Sequence, residues 1–327
     1  MSTEATPKLQ DIYGPIAREL ARLEAFLATQ FSGEEPFITT LLRHIGQYRG
    51  KQIRPALLLL VGKLSGGEVT EDHVKIAGVI EIIHTATLVH DDILDDAALR
   101  RNVETLHRRW GERAGVLLGD FLYSRAFAIS TRVPGMAKVL SETTNTICEG
   151  ELLQIGNRFN PDLAEETYFE IIRKKTAILY AIACSLGAVL SGADAAEADR
   201  LHAFGMDLGM AFQVIDDCLD YSGEEAVVGK SLGTDLHQGK ATLPLIYLLE
   251  GLEPAVRARL IESLRLPMEP AREEEIARDV RARGALEDAF TRARGFIESA
   301  RTRIGGLDPV MRDSLELVAD YVLRRRR

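Results

Sequence analysis

The sequence predicts an all-α fold in a single domain, on three observations. Apolar residues recur at the helical period along nearly the whole chain. No stretch alternates apolar and polar residues as a half-buried strand would. Aromatics are only 6% of a chain rich in Ala and Leu, which suits helix packing better than sheet packing. Hydrophobic residues make up 46% and charged residues 27%, the balance of a folded chain, and 327 residues suffice for a large core.

Each helix has its own signal. Ile16, Leu20, Leu23 and Leu27 share one face behind Pro15, a first-turn residue. Pro36 opens a second helix through Ile38, Leu41, Leu42 and Ile45. A third runs from Pro55 to Leu64 and stops at Ser65-Gly66-Gly67. The fourth starts after Thr70 and passes Val74, Ala77, Ile80, His84 and Leu88 towards Asp92. It is apolar on most faces, as a central helix must be. Helical pattern returns over Ala114–Thr131, Gly135–Gly156, Ala164–Leu190 and Ala195–Tyr221. The Gly-rich, polar segment Ser222–Gly239 interrupts it, long for a connector and suited to a lid. Helices resume from Leu243 to the end.

The net charge of −9 argues against a nucleic-acid binder. Cys148, Cys184 and Cys218 lack metal-type spacing and read as reduced core thiols of a cytoplasmic protein. Met1–Gln10 has no signal-peptide core, and the longest apolar run, Ala56–Val61, is too short to span a bilayer.

The acidity is clustered. In His90-Asp91-Asp92-Ile93-Leu94-Asp95-Asp96, the pairs Asp91/Asp95 and Asp92/Asp96 would each share a helix face. Like charges so placed cost roughly 0.2–0.5 kcal/mol per pair, so a cation is expected to offset them. Mg²⁺ suits: it takes oxygen ligands and fills its shell with water and substrate phosphates. A charged helix end at a loop is the plain alternative. Asp216-Asp217-Cys218-Leu219-Asp220 repeats the acidic spacing at the end of another apolar helix, after Phe212-Gln213-Val214-Ile215. Two such helix ends could hold several divalent ions around one diphosphate.

A diphosphate also needs direct cations. Arg100 and Arg101 follow the first motif, and guanidinium groups bind phosphate in a bidentate fork. Lys51 and Arg54 flank Gly50 and Pro55, where Gly50 would let backbone approach an anion. Lys175-Thr176 falls inside a long helix that it could bend, and Lys230 and Lys240 frame the Gly-rich segment. Alone, each basic residue is better read as a solvated charge; only its association with the two acidic motifs reverses that.

Taken together, RGKQIRP at Arg49–Pro55, HTATLVHDDILDDAALRRN at His84–Asn102, KKTA at Lys174–Ala177, FQVIDDCLDYSG at Phe212–Gly223 and GKSLGTDLHQGKATLP at Gly229–Pro244 resemble the trans-type polyprenyl diphosphate synthases. The likeness runs in family order over nearly the whole chain, and is nearest the long-chain branch of octaprenyl, heptaprenyl and solanesyl synthases. It implies one domain over 1–327, an isoprenoid-synthase helical bundle around a central cavity. It implies head-to-tail condensation of isopentenyl diphosphate with an allylic diphosphate through an allylic cation. Asp91, Asp95 and Asp216 would then be Mg²⁺ ligands, with Mn²⁺ able to substitute, and Asp92, Asp217 and Asp220 would support them. Arg100, Lys175, Thr176, Gln213, Lys230 and Lys240 would hold the allylic diphosphate. Lys51, Arg54, His84 and Arg101 would hold isopentenyl diphosphate. The family usually has Gly-Gly-Lys-Arg where this chain has Arg49-Gly50-Lys51-Gln52, one basic residue fewer.

The resemblance implies that small residues one turn before Asp91, here Ala86 and Thr87, let a growing tail pass, and so a product of about C30 to C50 in a long apolar cavity. The resemblance also implies a homodimer. The tail Arg324–Arg327 reads as charge matched to a helix C-terminus, or else as a weak attraction to the membrane surface where a lipid product leaves. The rival readings are a short-chain (farnesyl or geranylgeranyl) synthase, a class I terpene cyclase, a phosphohydrolase built on His90-Asp91, and a non-catalytic subunit. A cyclase would lack the Lys51/Arg54 site and be richer in aromatics. A non-catalytic subunit would have eroded aspartates.

Overall fold

Helices form where the apolar period places them, and local chemistry sets their ends. The computed structural model describes residues 8–33, 35–48, 50–222, 234–266 and 268–325. After a short α1 (Leu9–Tyr13) come α2 (Ala17–Gln30), α3 (Pro36–Ile45), α4 (Ile53–Gly66) and α5 (Glu71–Leu94). Pro36 starts α3 in the first turn, where its missing N–H costs nothing. A capping box starts α5, with His73 in the place usually held by Glu: its ring accepts the Thr70 N–H (3.2 Å). Then follow β1 (Leu99–Arg100), β2 (Val103–Glu104), α6 (Leu106–Trp110), α7 (Glu112–Ser130), α8 (Met136–Gly156) and α9 (Glu165–Ile172). A π-helical turn, Arg173–Ala177, links α9 to α10 (Ile178–Leu190), and α11 (Ala195–Asp220) carries the second acidic motif. The rest is α12 (Thr234–His237), α13 (Leu243–Glu250), α14 (Pro254–Leu264), α15 (Pro270–Ala282), α16 (Ala285–Ile304) and α17 (Pro309–Arg324).

The contacts divide the chain into two compact units. One comprises Leu9–Thr144 and Ile182–His202, the other Asn145–Ala181 and Ala203–Arg327. In the first, α5 is the central helix, packed on α2, α4 and α7, and Ile76, Val79, Ile80, Ile83 and Ala86 are fully buried. In the second, α13 lies against α9, α14, α15 and α16. Its Leu245, Leu248 and Leu249 close a core with Tyr221, Ile276 and Val280.

Four sequence readings need correction. A two-stranded antiparallel ribbon exists, Leu99 opposite Glu104 and Arg100 opposite Val103, where no strand was expected. Its strands are too short to show an alternating pattern. The Asp92/Asp96 pair does not form a helical rung, because α5 ends at Leu94. The Asp96 N–H bonds the Ile93 carbonyl (3.2 Å) and the Ala97 N–H bonds the Asp92 carbonyl (2.9 Å), while Asp96 takes φ +48°. This is a Schellman stop with Asp in the left-handed position that Gly usually fills. Cys148 is exposed, whereas Cys184 and Cys218 are buried. The segment Ser222–Gly239 contains the short helix α12, and the part that includes Lys230 lies outside the described residues. Among the described residues no helix is long and apolar enough to cross a membrane.

Candidate active site

The first unit gathers one group of candidate residues around the C-terminal half of α5. Asp91 and Asp95 keep their one-turn spacing, the Asp95 N–H bonding the Asp91 carbonyl (2.9 Å), and both residues are partly exposed. Asp92 is 1% exposed, and Arg100 donates to its Oδ1 through Nε (2.8 Å) and Nη2 (2.5 Å). Burial raises the Asp92 carboxyl above its ordinary value, and the Arg100 charge opposes that. Asp92 thus fixes the Arg100 guanidinium. Asp96 turns away to Arg108 (2.8 Å).

The ribbon positions the next arginine. Arg101 (φ +52°) and Asn102 (φ +63°) form a tight turn with both central residues left-handed, the type I′ geometry whose twist matches a hairpin. From that turn Arg101 donates to the Tyr48 carbonyl, and its guanidinium fills the space where a side chain at Gly50 would stand. Gly50 therefore admits Arg101 rather than an anion. Arg54 Nη1 lies 3.1 Å from Nε2 of His84. Arginine can only donate, so this nitrogen accepts and His84 is neutral. Burial, then Arg54, Arg101 and Arg100, hold the imidazole well below its usual range, in agreement. His84 orients Arg54 through that nitrogen. Lys51 is exposed, and its carbonyl accepts from the Tyr13 hydroxyl. The structure thus brings Arg54, His84, Arg100 and Arg101 into mutual electrostatic reach. Glu81, which sequence reading missed, faces Arg54 and Arg101; burial raises its carboxyl and those two charges oppose the rise. Its signal was present: a lone carboxylate one turn before His84 in an apolar helix.

The second unit gathers the other group around a cavity of about 90 Å³, whose lining includes Gln154, Lys175, Thr176, Gln213, Asp217 and Lys240. A relay of hydrogen bonds orders one wall. Thr176 donates to Gln213 Oε1 (2.9 Å), and Gln213 Nε2 donates to Asp217 Oδ1 (2.8 Å). Tyr168 donates to Asp217 Oδ2 (2.6 Å). Asp217 is buried; burial first, then Asp235, push its carboxyl well up. It serves to hold Gln213 and Tyr168 in place. Asp220 is also buried and accepts the Asp235 N–H (3.2 Å). Asp216 is the exposed member, its side chain 39% accessible, and accepts from Arg325 Nη2 (2.8 Å). The Arg325 guanidinium also stacks 4.0 Å from the Phe212 ring centre. Of the basic tail, Arg325 therefore reaches the second acidic motif. Tyr168 and Arg325 were illegible as site residues, since chain distance hides both. Ala86 is fully buried, and Thr87 donates to the His84 carbonyl (2.7 Å).

The donor chemistry fits a hard divalent cation. Asp91 and Asp95 in the first unit, and Asp216 in the second, are each partly exposed carboxylate residues, and carboxylates, water and phosphate are what Mg²⁺ takes. Among the described residues no group of three or more His, Cys, Asp or Glu stands ready as a complete cage.

The polyprenyl synthetase family model matches residues 35–282. An octaprenyl diphosphate synthase of Escherichia coli is 40% identical over 243 residues, 74% of this chain and 75% of that protein. A short chain isoprenyl diphosphate synthase of Methanothermobacter thermautotrophicus is 38% identical over 296 residues, 88% of this chain and 90% of that one. Among solved structures, a polyprenyl synthase of Caulobacter crescentus, complexed with calcium and isoprenyl diphosphate, has a TM-score of 0.92. It is 32% identical and covers 99% of this chain and 100% of that one. With helices, acidic motifs and cationic residues in family order, this chain belongs to the polyprenyl synthetase family.

Proposed function

We propose that this protein condenses isopentenyl diphosphate head-to-tail with an allylic diphosphate and releases a long-chain all-trans polyprenyl diphosphate. One observation carries the reading. Besides Arg100, which Asp92 holds, the unit that bears Asp91 and Asp95 has a second pair of arginines, Arg54 and Arg101, ordered by His84 and Glu81. Ionising a single allylic diphosphate does not need such a second cationic site; joining two diphosphates does. Lys51, Arg54 and Arg101 would bind isopentenyl diphosphate. Arg100, Lys175, Thr176, Gln213, Lys230 and Lys240 would bind the allylic partner.

Asp91, Asp95 and Asp216 would hold Mg²⁺, which would stabilise charge on the departing diphosphate. The cationic side chains would add donors to the same developing charge. The allylic C–O bond breaks and its electron pair leaves with diphosphate. The isopentenyl double bond attacks the cation, and a proton passes to the released diphosphate. Water must be kept out, since it would quench the cation. The relatives' names include both long- and short-chain enzymes; Ala86, small and fully buried beside the first motif, favours the long product. A homodimer is supported by an apolar stretch of α7 that stays exposed in one chain, Val116 at 45% and Leu117 at 68%.

Thermal stabilisation tests the two-site reading. With Mg²⁺, isopentenyl diphosphate and a non-reactive thio-linked allylic diphosphate should each raise Tm; saturation at 100 Kd adds about 2.7 kcal/mol. Arg54→Ala should abolish the isopentenyl effect alone. No stabilisation by isopentenyl diphosphate would favour a cyclase, and none by either a non-catalytic subunit.

A further inference from the structure

Lys175 has a long flexible stem, yet it must meet a diphosphate at one place in the cavity. Its ammonium donates to Gln154 Oε1 (2.8 Å) and is ion-paired with Glu151. The two partners stand one turn apart on α8 and reach the same lysine. Both members of the ion pair are well shielded, the Lys175 side chain 20% exposed and Glu151 19%. Helix α8 can come this close because of Gly150, where a Cβ would stand 2.5 Å from the Lys175 backbone nitrogen. The π turn Arg173–Ala177 holds two adjacent lysines, and α8 sorts them. Glu149, on another face, takes Lys174 (3.4 Å) together with Glu170 (3.1 Å). Glu151 takes Lys175, which lines the cavity while Lys174 does not.

We propose that Glu151, assisted by Gln154, is a positioning residue for the prenyl transfer: it selects Lys175 over Lys174 and fixes its ammonium at the cavity wall before the allylic diphosphate arrives. The inference rests on the reading of this cavity as the allylic site. Preorganised donors act more strongly than donors that must be gathered during reaction. Glu151 acts on the transfer through Lys175, so its effect there vanishes where the ammonium is absent.

The test is a cycle of Glu151→Ala, Lys175→Ala and the double variant, assayed with each substrate varied in turn. Glu151→Ala should lower kcat/KM for the allylic diphosphate by roughly tenfold or more, leave the KM for isopentenyl diphosphate unchanged, and add nothing on Lys175→Ala. Glu151→Gln, which keeps an acceptor, should recover part of the loss. Multiplying effects in the double variant, or equal shifts for both substrates, would overturn the proposal. A second readout needs no turnover: reductive methylation of Lys175, followed by peptide mass spectrometry with Lys174 as internal reference. Methylation of Lys175 should be several-fold faster in Glu151→Ala. An unchanged ratio would overturn the positioning role. Inactivity of the wild type with both substrates, alongside a changed ratio, would instead refute the prenyl-transfer reading.

Discussion

His84 is neutral because burial and three arginines penalise its charged form, and because Arg54 donates to its Nε2. The sign of the pH effect follows. Its folded-state value lies below the ordinary 6.5, so in the window between them the unfolded chain binds a proton that the folded chain refuses. Stability should therefore fall as pH drops below about 6.5, with a slope of at most about 1.4 kcal/mol per pH unit from this one group. His84→Gln keeps an acceptor for Arg54 without the titration. Its Tm should flatten between pH 7 and 5 relative to wild type; parallel curves would show that His84 is not held neutral. The residue types of the site were legible in the sequence, the aspartates and arginines above all. Their partners were not. Tyr168 and Glu151 act through space on residues elsewhere in the chain, and nothing in their local spacing announces it; Glu81 gave a signal, a lone carboxylate within an apolar helix, but not its partners.

At the scale of elements, helix positions followed from apolar period and from Pro36, Thr70 and the Gly66-Gly67 stop. Lys175-Thr176 was read as a place where a helix could bend, and a π turn is there. The ribbon escaped because it has two residues per strand and an Arg-Asn turn in place of the usual Asn-Gly. That choice has a cost and a reason. A non-glycine residue in the left-handed region is strained by about 1–2 kcal/mol, and Arg101 is kept there to bring a guanidinium over Gly50. Arg101→Gly and Arg101→Ala remove the same guanidinium, so both should lose isopentenyl diphosphate affinity alike. The glycine variant should nonetheless be the more stable of the two by about 1 kcal/mol in urea unfolding. Equal stabilities would mean that the turn relaxes when the side chain is lost. The helix end at Leu94 carries the same lesson: a Schellman stop with Asp96 in place of the usual Gly cannot be read from an acidic motif spaced as a helix would be.

For the whole molecule, the family and the helical class were readable because two acidic motifs and the basic segments occur in order along one chain. Product length belongs to this scale, since it depends on how far an apolar tail can run. Ala86 is fully buried on α5, one turn and a little more before Asp91. If the tail passes it, Ala86→Phe should shift the product to shorter chains with little loss of total isopentenyl incorporation; an unchanged length distribution would remove Ala86 from the path. The most direct test of the central claim is product analysis by mass spectrometry after incubating the protein with isopentenyl diphosphate, farnesyl diphosphate and Mg²⁺, beside Asp91→Ala. A Mg²⁺-dependent ladder of all-trans polyprenyl diphosphates ending at about C30 to C50, absent from the variant, is the predicted result. A cyclised hydrocarbon, or no incorporation by folded protein with any allylic primer, would contradict it.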